Sequence, residues 1–244
     1  MEASVQGPPA RGAAAYLGEL LGTFGLVFFI CMAVSEYGVG GDFVAIALVH
    51  VFVLFMLIQT LAVVCGAHFN PAVTVAMVAL RQIRPPDAVI YIVVQLTGGI
   101  LGALATRALL TDEGLAVNYG AVAISPLLDG VFAGFMVELA GTFFLMFAIV
   151  GVAVNPRGNQ EWAAFTIGAT LGLVVFVGAQ LTGAGFNPAR ALGPALVSGE
   201  FGPMGTFLLV YILAPVVGAV LAAVAYFRLF MAPGKKVGGA EPVG

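Results

Sequence analysis

The sequence predicts an all-α membrane protein with six transmembrane helices plus two re-entrant half-helices, built as an inverted repeat of two three-helix halves. The first observation is composition: 61% of the 244 residues are hydrophobic and 9% are charged, whereas soluble domains carry about 25% charged residues. The second is a set of six apolar runs, each with roughly the 20 residues that cross a bilayer. The third is that motifs of the first half return in the second.

The six long apolar runs are expected to cross the membrane as helices. Lipid offers backbone polar groups no partners, so only helices and closed barrels can span it. The runs are too long, and alternate too poorly between polar and apolar residues, to be barrel strands. They lie at approximately 13–34, 43–64, 88–109, 131–154, 162–181 and 206–230.

Two further apolar stretches, 71–80 and 188–197, are too short to span a bilayer. Ten residues of helix at about 1.5 Å per residue reach roughly 15 Å, which is half of a hydrocarbon core of ~30 Å. Each stretch is therefore expected to enter the membrane and stop at the midplane.

An internal repeat relates the two halves of the chain. The segment "ELLGTF" (19–24) returns as "ELAGTF" (138–143), and "GAHFNPA" (66–72) returns as "GAGFNPA" (183–189). Because each half holds three spans, the second half must enter the membrane upside down, which is the inverted repeat of transport folds. Such folds place their functional residues at the midplane, between the halves.

The repeat and the positive charges together predict the domain organisation. We expect a single transmembrane domain over 1–244, with inverted repeats at approximately 13–122 and 123–231. The positive-inside rule places both termini, 1–12 and 232–244, in the cytoplasm, and we expect a location in the cell membrane. The basic residues on the terminal side are Arg11, Arg81, Arg84, Arg157, Arg228, Lys235 and Lys236, against Arg107 and Arg190 near the other side.

Several classes of function are disfavoured by what the sequence holds. A formal net charge of −3 gives no reason to expect a nucleic-acid partner. Cys31 and Cys65 both lie in apolar segments and do not form a disulfide framework. An intramembrane enzyme would need a nucleophile–base pair or a metal cluster, and two histidines without a His–carboxylate motif or a cysteine pair supply neither. We therefore expect no enzyme activity, no catalytic residue, no metal and no cofactor.

The two short helices should meet by their N-termini at the midplane. Asn70 and Asn187 are favoured N-caps, and the proline after each suits the first helical position. The preceding segments 65–69 and 182–186 would then offer carbonyl oxygens along a path, with glycines giving backbone freedom. The expected pore-lining residues are Gly66, Ala67, His68, Gly183 and Gly185.

The two Asn-Pro-Ala boxes carry a resemblance to a known family. The boxes are Asn70, Pro71, Ala72 and Asn187, Pro188, Ala189. In an inverted repeat, with Arg190 after the second box, they resemble the aquaporin (major intrinsic protein) family over roughly 13–230. The resemblance implies a pore in each subunit, a homotetramer, and passive flow of water and sometimes of small neutral solutes. A scaffold with a vestigial pore is the competing class, and the intact boxes argue against it.

Arg190 breaks the symmetry of the repeat, because Val73 holds the equivalent place in the first half. A cation in the first turn of a helix opposes the helix dipole. The resemblance implies that Arg190 lies at the narrowest constriction, near the outer mouth, where it donates hydrogen bonds to passing molecules and repels cations. The alternative is a structural arginine that bonds loop carbonyls.

By the family's motif spacing, His50, Val175 and Ala184 complete this selectivity filter. The set resembles that of plant tonoplast aquaporins, which implies a water channel that excludes protons and ions and has ammonia, urea or hydrogen peroxide as further solutes. The alternative is a glycerol or small-polyol facilitator, which Ala191 disfavours because that branch usually has Asp there.

For other polar residues within the apolar segments, two hypotheses about their role are open. Glu19 and Glu138 are expected to support the re-entrant loops through backbone donors, with Gln95 and Gln59 making similar bonds; a proton relay is the alternative. His68 is expected to line the cytoplasmic half of the pore, and a pH gate is the alternative because histidine titrates near neutrality.

Overall fold

The computed structural model describes residues 9–231, so most of the two predicted cytoplasmic termini lies outside the described residues. Within them the fold is helical, as predicted, with six long helices and two half-helices. In chain order the helices are α1 Ala13–Tyr37, α2 Phe43–Cys65, α3 Pro71–Ala79, α4 Pro85–Leu109, α5 Thr111–Ala116, α6 Gly130–Val154, α7 Gln160–Thr182, α8 Pro188–Ser198 and α9 Met204–Met231.

The long helices are α1, α2, α4, α6, α7 and α9, each long and apolar enough to cross a membrane. Helix α4 begins three residues before the predicted start, at Pro85, because prolines fit the first turn of a helix, where no N–H partner is needed. We call the face of the bundle that holds residues 9–12 and Met231 the terminal face, and the opposite one the distal face.

Small residues set the spacing of the long helices. A Cβ on Gly98 of α4 would lie 2.5 Å from the Leu20 carbonyl oxygen of α1. Helices α2 and α7 approach in the same way, because a Cβ on Gly168 would lie 2.5 Å from the Val51 carbonyl oxygen. Backbones can pack this closely inside a membrane because glycine has no side chain to separate them.

Each half-helix packs against a long helix of the opposite half. Helix α8 lies on α4, where a Cβ on Gly99 would come within 2.5 Å of the Ala189 carbonyl oxygen, and α3 lies on α9. The two repeats are thus interlocked at the midplane, which positions the residues of the candidate pore.

Helix α9 departs from regular α geometry before a proline. Leu208–Leu213 form a wider π-helical segment that ends two residues before Pro215, a residue that lacks the N–H of a regular helix. Within this turn Tyr211 is buried and donates its hydroxyl to the Thr182 carbonyl at 3.0 Å. This hydrogen bond connects α9 to the last residue of α7, where the second re-entrant loop begins.

The connection between the halves crosses the distal face. After α5, the backbone of Asn118, Tyr119 and Gly120 is left-handed, with φ of 51°, 53° and 80°. Further on, Ser125 donates its N–H to the Leu181 carbonyl at 2.8 Å. The connection thus packs against the end of α7 and against Gly183 of the second re-entrant loop.

Candidate pore

A cavity of about 320 Å³ runs between the helices and past both re-entrant loops. Apolar side chains of α1, α2, α6 and α7 form most of its wall, including Ile30, Leu54, Ile149 and Leu171. Its polar lining comes mainly from the predicted pore residues. The polar side chains and loop residues in the lining are His50, Gln59, Gly66, Ala67, His68, Asn70, Gln160, Ala184, Gly185, Asn187 and Arg190.

The re-entrant loops are held in a strained conformation that repeats between the halves. In the first loop Gly66, Ala67 and Phe69 are left-handed, with φ of 84°, 53° and 48°. Left-handed backbone at residues with a Cβ costs on the order of 1–3 kcal/mol each and persists only where the surroundings impose it. The second loop has φ of 78°, 52° and 50° at Gly183, Ala184 and Phe186.

Two buried carboxylates impose that conformation. Glu19 accepts hydrogen bonds from the His68 N–H at 2.8 Å, the Phe69 N–H at 2.7 Å and the Gln95 amide at 2.8 Å. Glu138 accepts from the N–H groups of Gly185 at 2.8 Å and Phe186 at 2.6 Å, and from the Thr182 hydroxyl at 2.6 Å. Because both oxygens of each carboxyl group accept backbone N–H groups, each glutamate fixes one loop.

The glycine of the repeated motif "EL-GTF" makes room for a phenylalanine ring, a role that the sequence analysis did not predict. A Cβ on Gly22 would collide with the Phe69 ring, and one on Gly141 with the Phe186 ring. Both rings are buried, at 0% and 1% exposure. Glutamate and glycine are three residues apart, so the carboxyl group and the space for the ring lie on one helix face. This spacing occurs in both halves, and it is the sequence pattern from which the role of the glycine could have been predicted.

Asn70 and Asn187 cap the half-helices and bind the two loops to each other. Each side-chain oxygen accepts the N–H two residues on, of Ala72 or Ala189, at 2.9 Å. The Asn70 amide donates to the Phe186 carbonyl at 2.9 Å, and the Asn187 amide to the Phe69 carbonyl at 2.8 Å. An amide nitrogen has two donors, so each asparagine keeps one for the cavity that it lines.

Arg190 lines the cavity and also bonds loop carbonyls, which is the structural role that the sequence offered as the alternative. Nη1 donates to the Gly120 carbonyl at 2.7 Å, and Nη2 to the Gly183 carbonyl at 3.4 Å. Its buried Nε has no protein partner. The guanidinium is thus anchored at one end and retains a donor, which is unusual for a charge that is 4% exposed.

His50 lines the same cavity and has one ring nitrogen without a partner. Its Nδ1 lies 2.8 Å from the Ile46 carbonyl, which can only accept, so Nδ1 carries the proton. In the neutral ring Nε2 then has a free lone pair, and this buried atom has no protein partner. His50 and Arg190, which both line the cavity, therefore carry one unpartnered acceptor atom and one unpartnered donor atom.

The structure does not bring all four predicted filter residues to the cavity wall. His50, Ala184 and Arg190 line the cavity, whereas Val175, 1% exposed, is not among the lining residues. Val175 lies one helical turn beyond Leu171, which does line it, and thus on the same face of α7.

The predicted pore glycines have different roles. Gly66 is left-handed and lines the cavity, while Gly183 ends α7 in a left-handed conformation without lining it. Gly185 was expected to supply backbone freedom, but its φ is not left-handed. It supplies space instead: a Cβ there would lie 2.9 Å from Glu138 Oε2.

His68 lies toward the terminal face, where its Nδ1 is 3.1 Å from the Thr74 hydroxyl. Gln95 donates to Glu19 and to Thr74 as a loop support, but Gln59 lines the cavity instead of making such a bond. Among residues 9–231, no three His, Cys, Asp or Glu side chains gather where they could hold a metal ion.

Together, the inverted repeat, the paired half-helices and the cavity that passes them define a membrane-spanning channel. The chain belongs to the major intrinsic protein family, the aquaporins, whose family model matches residues 10–226. It is 39% identical over 208 residues to glycerol uptake facilitator protein-like 6 of Lactiplantibacillus plantarum, covering 85% of this chain and 94% of that one.

A second relative agrees with that membership, and a solved structure agrees with the fold. The chain is 40% identical over 213 residues to nodulin-26 of Glycine max, covering 86% of this chain and 75% of that one. Its fold is similar to that of the aquaglyceroporin from Plasmodium falciparum, with a TM-score of 0.76 over 89% of this chain and 96% of that one. The sequence identity to that structure is 23%, so this match bears on the fold alone.

Proposed function

We propose that the protein is a passive channel for water and small neutral solutes that excludes protons and ions. One observation carries the proposal: a single cavity is lined by Asn70, Asn187, His50 and Arg190, and the buried His50 Nε2 and Arg190 Nε have no protein partner. Buried polar atoms without partners are rare in folded proteins. Here they supply the hydrogen bonds that a molecule loses when it leaves bulk water.

The midplane favours water and opposes proton transfer. Asn70 and Asn187 can both donate to one central water, which leaves its oxygen without acceptor capacity for neighbouring waters. The N-termini of α3 and α8 each place about half a positive charge there. A proton or a cation meets this field after losing its hydration, whereas water does not carry a charge to be penalised.

The filter chemistry supports solutes that both donate and accept. A solute N–H or O–H group can donate to His50 Nε2 while Arg190 Nε–H donates to a solute acceptor. Urea, hydrogen peroxide and ammonia each offer both a donor and an acceptor. We include Val175 and Ala184 in the filter, where small side chains leave a wider opening than larger ones would. Glycerol is the second candidate solute, favoured by the name of the Lactiplantibacillus plantarum relative.

The proposal extends to topology and assembly. We place the terminal face in the cytoplasm, because described basic residues such as Arg11, Arg84 and Arg157 lie at that face. We further propose a single channel domain with repeats at 13–122 and 123–231, a homotetramer with one pore in each subunit, and a location in the cell membrane.

Proteoliposomes that contain the protein should shrink faster than empty liposomes after an osmotic step, with an activation energy near that of bulk water diffusion. The reason is that carbonyls and asparagine donors replace the lost water–water bonds. Stopped-flow light scattering measures this rate, and parallel runs with glycerol, urea and ammonia rank the solutes. The variant Ala184→Trp, which fills the cavity wall, is the blocked control. Shrinkage no faster than in empty liposomes rules out the proposed water channel.

Mercury should leave the natural channel open, because Cys31 and Cys65 are both fully buried and do not line the cavity. Cysteines placed in the filter should make it sensitive: Ala184→Cys and, under our filter assignment, Val175→Cys. Water permeability before and after a mercury salt, and after a thiol reductant, gives the measurement. Leu213→Cys, which faces outward on α9 at 48% exposure, is the matched control. A Val175→Cys channel that stays open removes Val175 from the constriction.

A further inference from the structure

We propose that Tyr119 is a positioning residue for Arg190. Its ring, seated on Gly114, holds the Gly120 carbonyl against the guanidinium and so keeps the charge in the pore. This inference rests on the proposed function, because Arg190 matters to transport only if the cavity conducts. It assigns a selectivity role to the connection between the two halves.

The backbone around Tyr119 is shaped for this contact. Three consecutive residues, Asn118, Tyr119 and Gly120, are left-handed, with φ of 51°, 53° and 80°. Aromatic residues rarely adopt this conformation, and such strain persists only where the surroundings over-determine it. The strained segment ends at the carbonyl that accepts the Arg190 Nη1 hydrogen bond at 2.7 Å.

The Tyr119 side chain provides the constraint. It is 2% exposed and packs among Val27, Cys31, Ala103 and Val197. Gly114 forms the seat, since any Cβ there would collide with the ring. At the far end of the ring, the hydroxyl donates to the Thr111 carbonyl at 3.0 Å. Ring burial and this hydrogen bond therefore fix the side chain independently of each other.

The Gly120 carbonyl is the principal anchor of Arg190. The second anchor, the Gly183 carbonyl, lies at a longer 3.4 Å from Nη2, and Nε has no partner. Release of the Gly120 carbonyl would therefore leave the guanidinium held by one weak bond. Arg190 could then move away from the narrow part of the cavity without any change to its own sequence.

The test weakens the seat and measures selectivity in proteoliposomes. Tyr119→Ala removes the ring, and Gly114→Ala pushes it from its seat while leaving Tyr119 in place. For both we expect the proton leak, relative to water permeability, to rise about tenfold, the order expected when one hydrogen bond to a charged group is lost. Tyr119→Phe keeps the buried ring and should leak much less. Trp162→Ala, an exposed aromatic at the terminal end of α7, should match the natural protein.

A second arm separates positioning from general loosening of the fold. In an Arg190→Val background, Tyr119→Ala and Gly114→Ala should add no further leak, since the residue they position is absent. If Tyr119→Ala does not fold, Gly114→Ala and Tyr119→Phe still give the comparison.

The outcomes are distinct. A natural channel that carries no water, or already leaks protons, overturns the proposed function itself. A tight natural channel with tight Tyr119→Ala and Gly114→Ala variants overturns the inference alone. Leaks that add in full to that of Arg190→Val also overturn it, because the seat would then act without Arg190.

Discussion

Replacement of Arg190 by valine should make the channel leak protons and small cations under an imposed potential while water still flows. Valine is the residue at the equivalent point of the first repeat, Val73, so the backbone there tolerates it. A unit charge acts on another 4 Å away with about 4 kcal/mol at an effective dielectric constant of about 20. Since ~1.4 kcal/mol is a factor of ten, the leak should rise at least about tenfold. A pH-sensitive dye inside proteoliposomes measures it.

Arg190→Lys is the matched control, because it keeps the charge and loses the forked geometry that reaches the Gly120 and Gly183 carbonyls. It should leak less than Arg190→Val. The assigned role is wrong if the natural channel already passes protons. It is also wrong if Arg190→Val combined with His50→Ala, which widens the filter further, shows no leak at all.

Replacement of Glu138 by leucine should abolish water flow and strongly destabilise the protein. The carboxylate accepts three hydrogen bonds from buried donors on Thr182, Gly185 and Phe186, and leucine accepts none. Each unsatisfied buried donor costs about 1–3 kcal/mol, and the strained second loop loses the contacts that maintain it. Thermal unfolding in detergent and osmotic shrinkage of proteoliposomes measure the two effects.

Two milder variants locate the cause. Thr182→Val removes the hydroxyl, which is one of the three donors, and should lower the free energy of unfolding by about 1 kcal/mol. Glu138→Gln keeps one acceptor and places an amide beside a backbone N–H, so its stability should lie between the other two. A Glu138→Leu protein with the natural midpoint and water permeability contradicts the structural role. A Glu138→Gln protein that is fully stable but loses proton movement would favour the relay.

The sequence by itself determined the membrane architecture. Helix length, apolar content, N-caps and proline positions are local properties, so six spans and two half-helices could be predicted from neighbouring residues alone. The internal repeat can be identified from the sequence, and it shows which segments of the two halves are equivalent, including Asn70 and Asn187. Glu19 and Glu138 stood out because carboxylates inside apolar runs are rare.

The tertiary structure decided which atoms of the pore are free. Arg190 donates its short hydrogen bond to the carbonyl of Gly120, which lies 70 residues away in the sequence and is oriented by a strained turn. No local sequence pattern predicts that partner. The unpaired state of His50 Nε2 and the role of Gly185 as space likewise became clear only from the packed neighbours. Hydropathy and capping act over a few residues along the chain. Hydrogen-bond satisfaction in a pore depends instead on which distant segments packing brings within about 3 Å of each other.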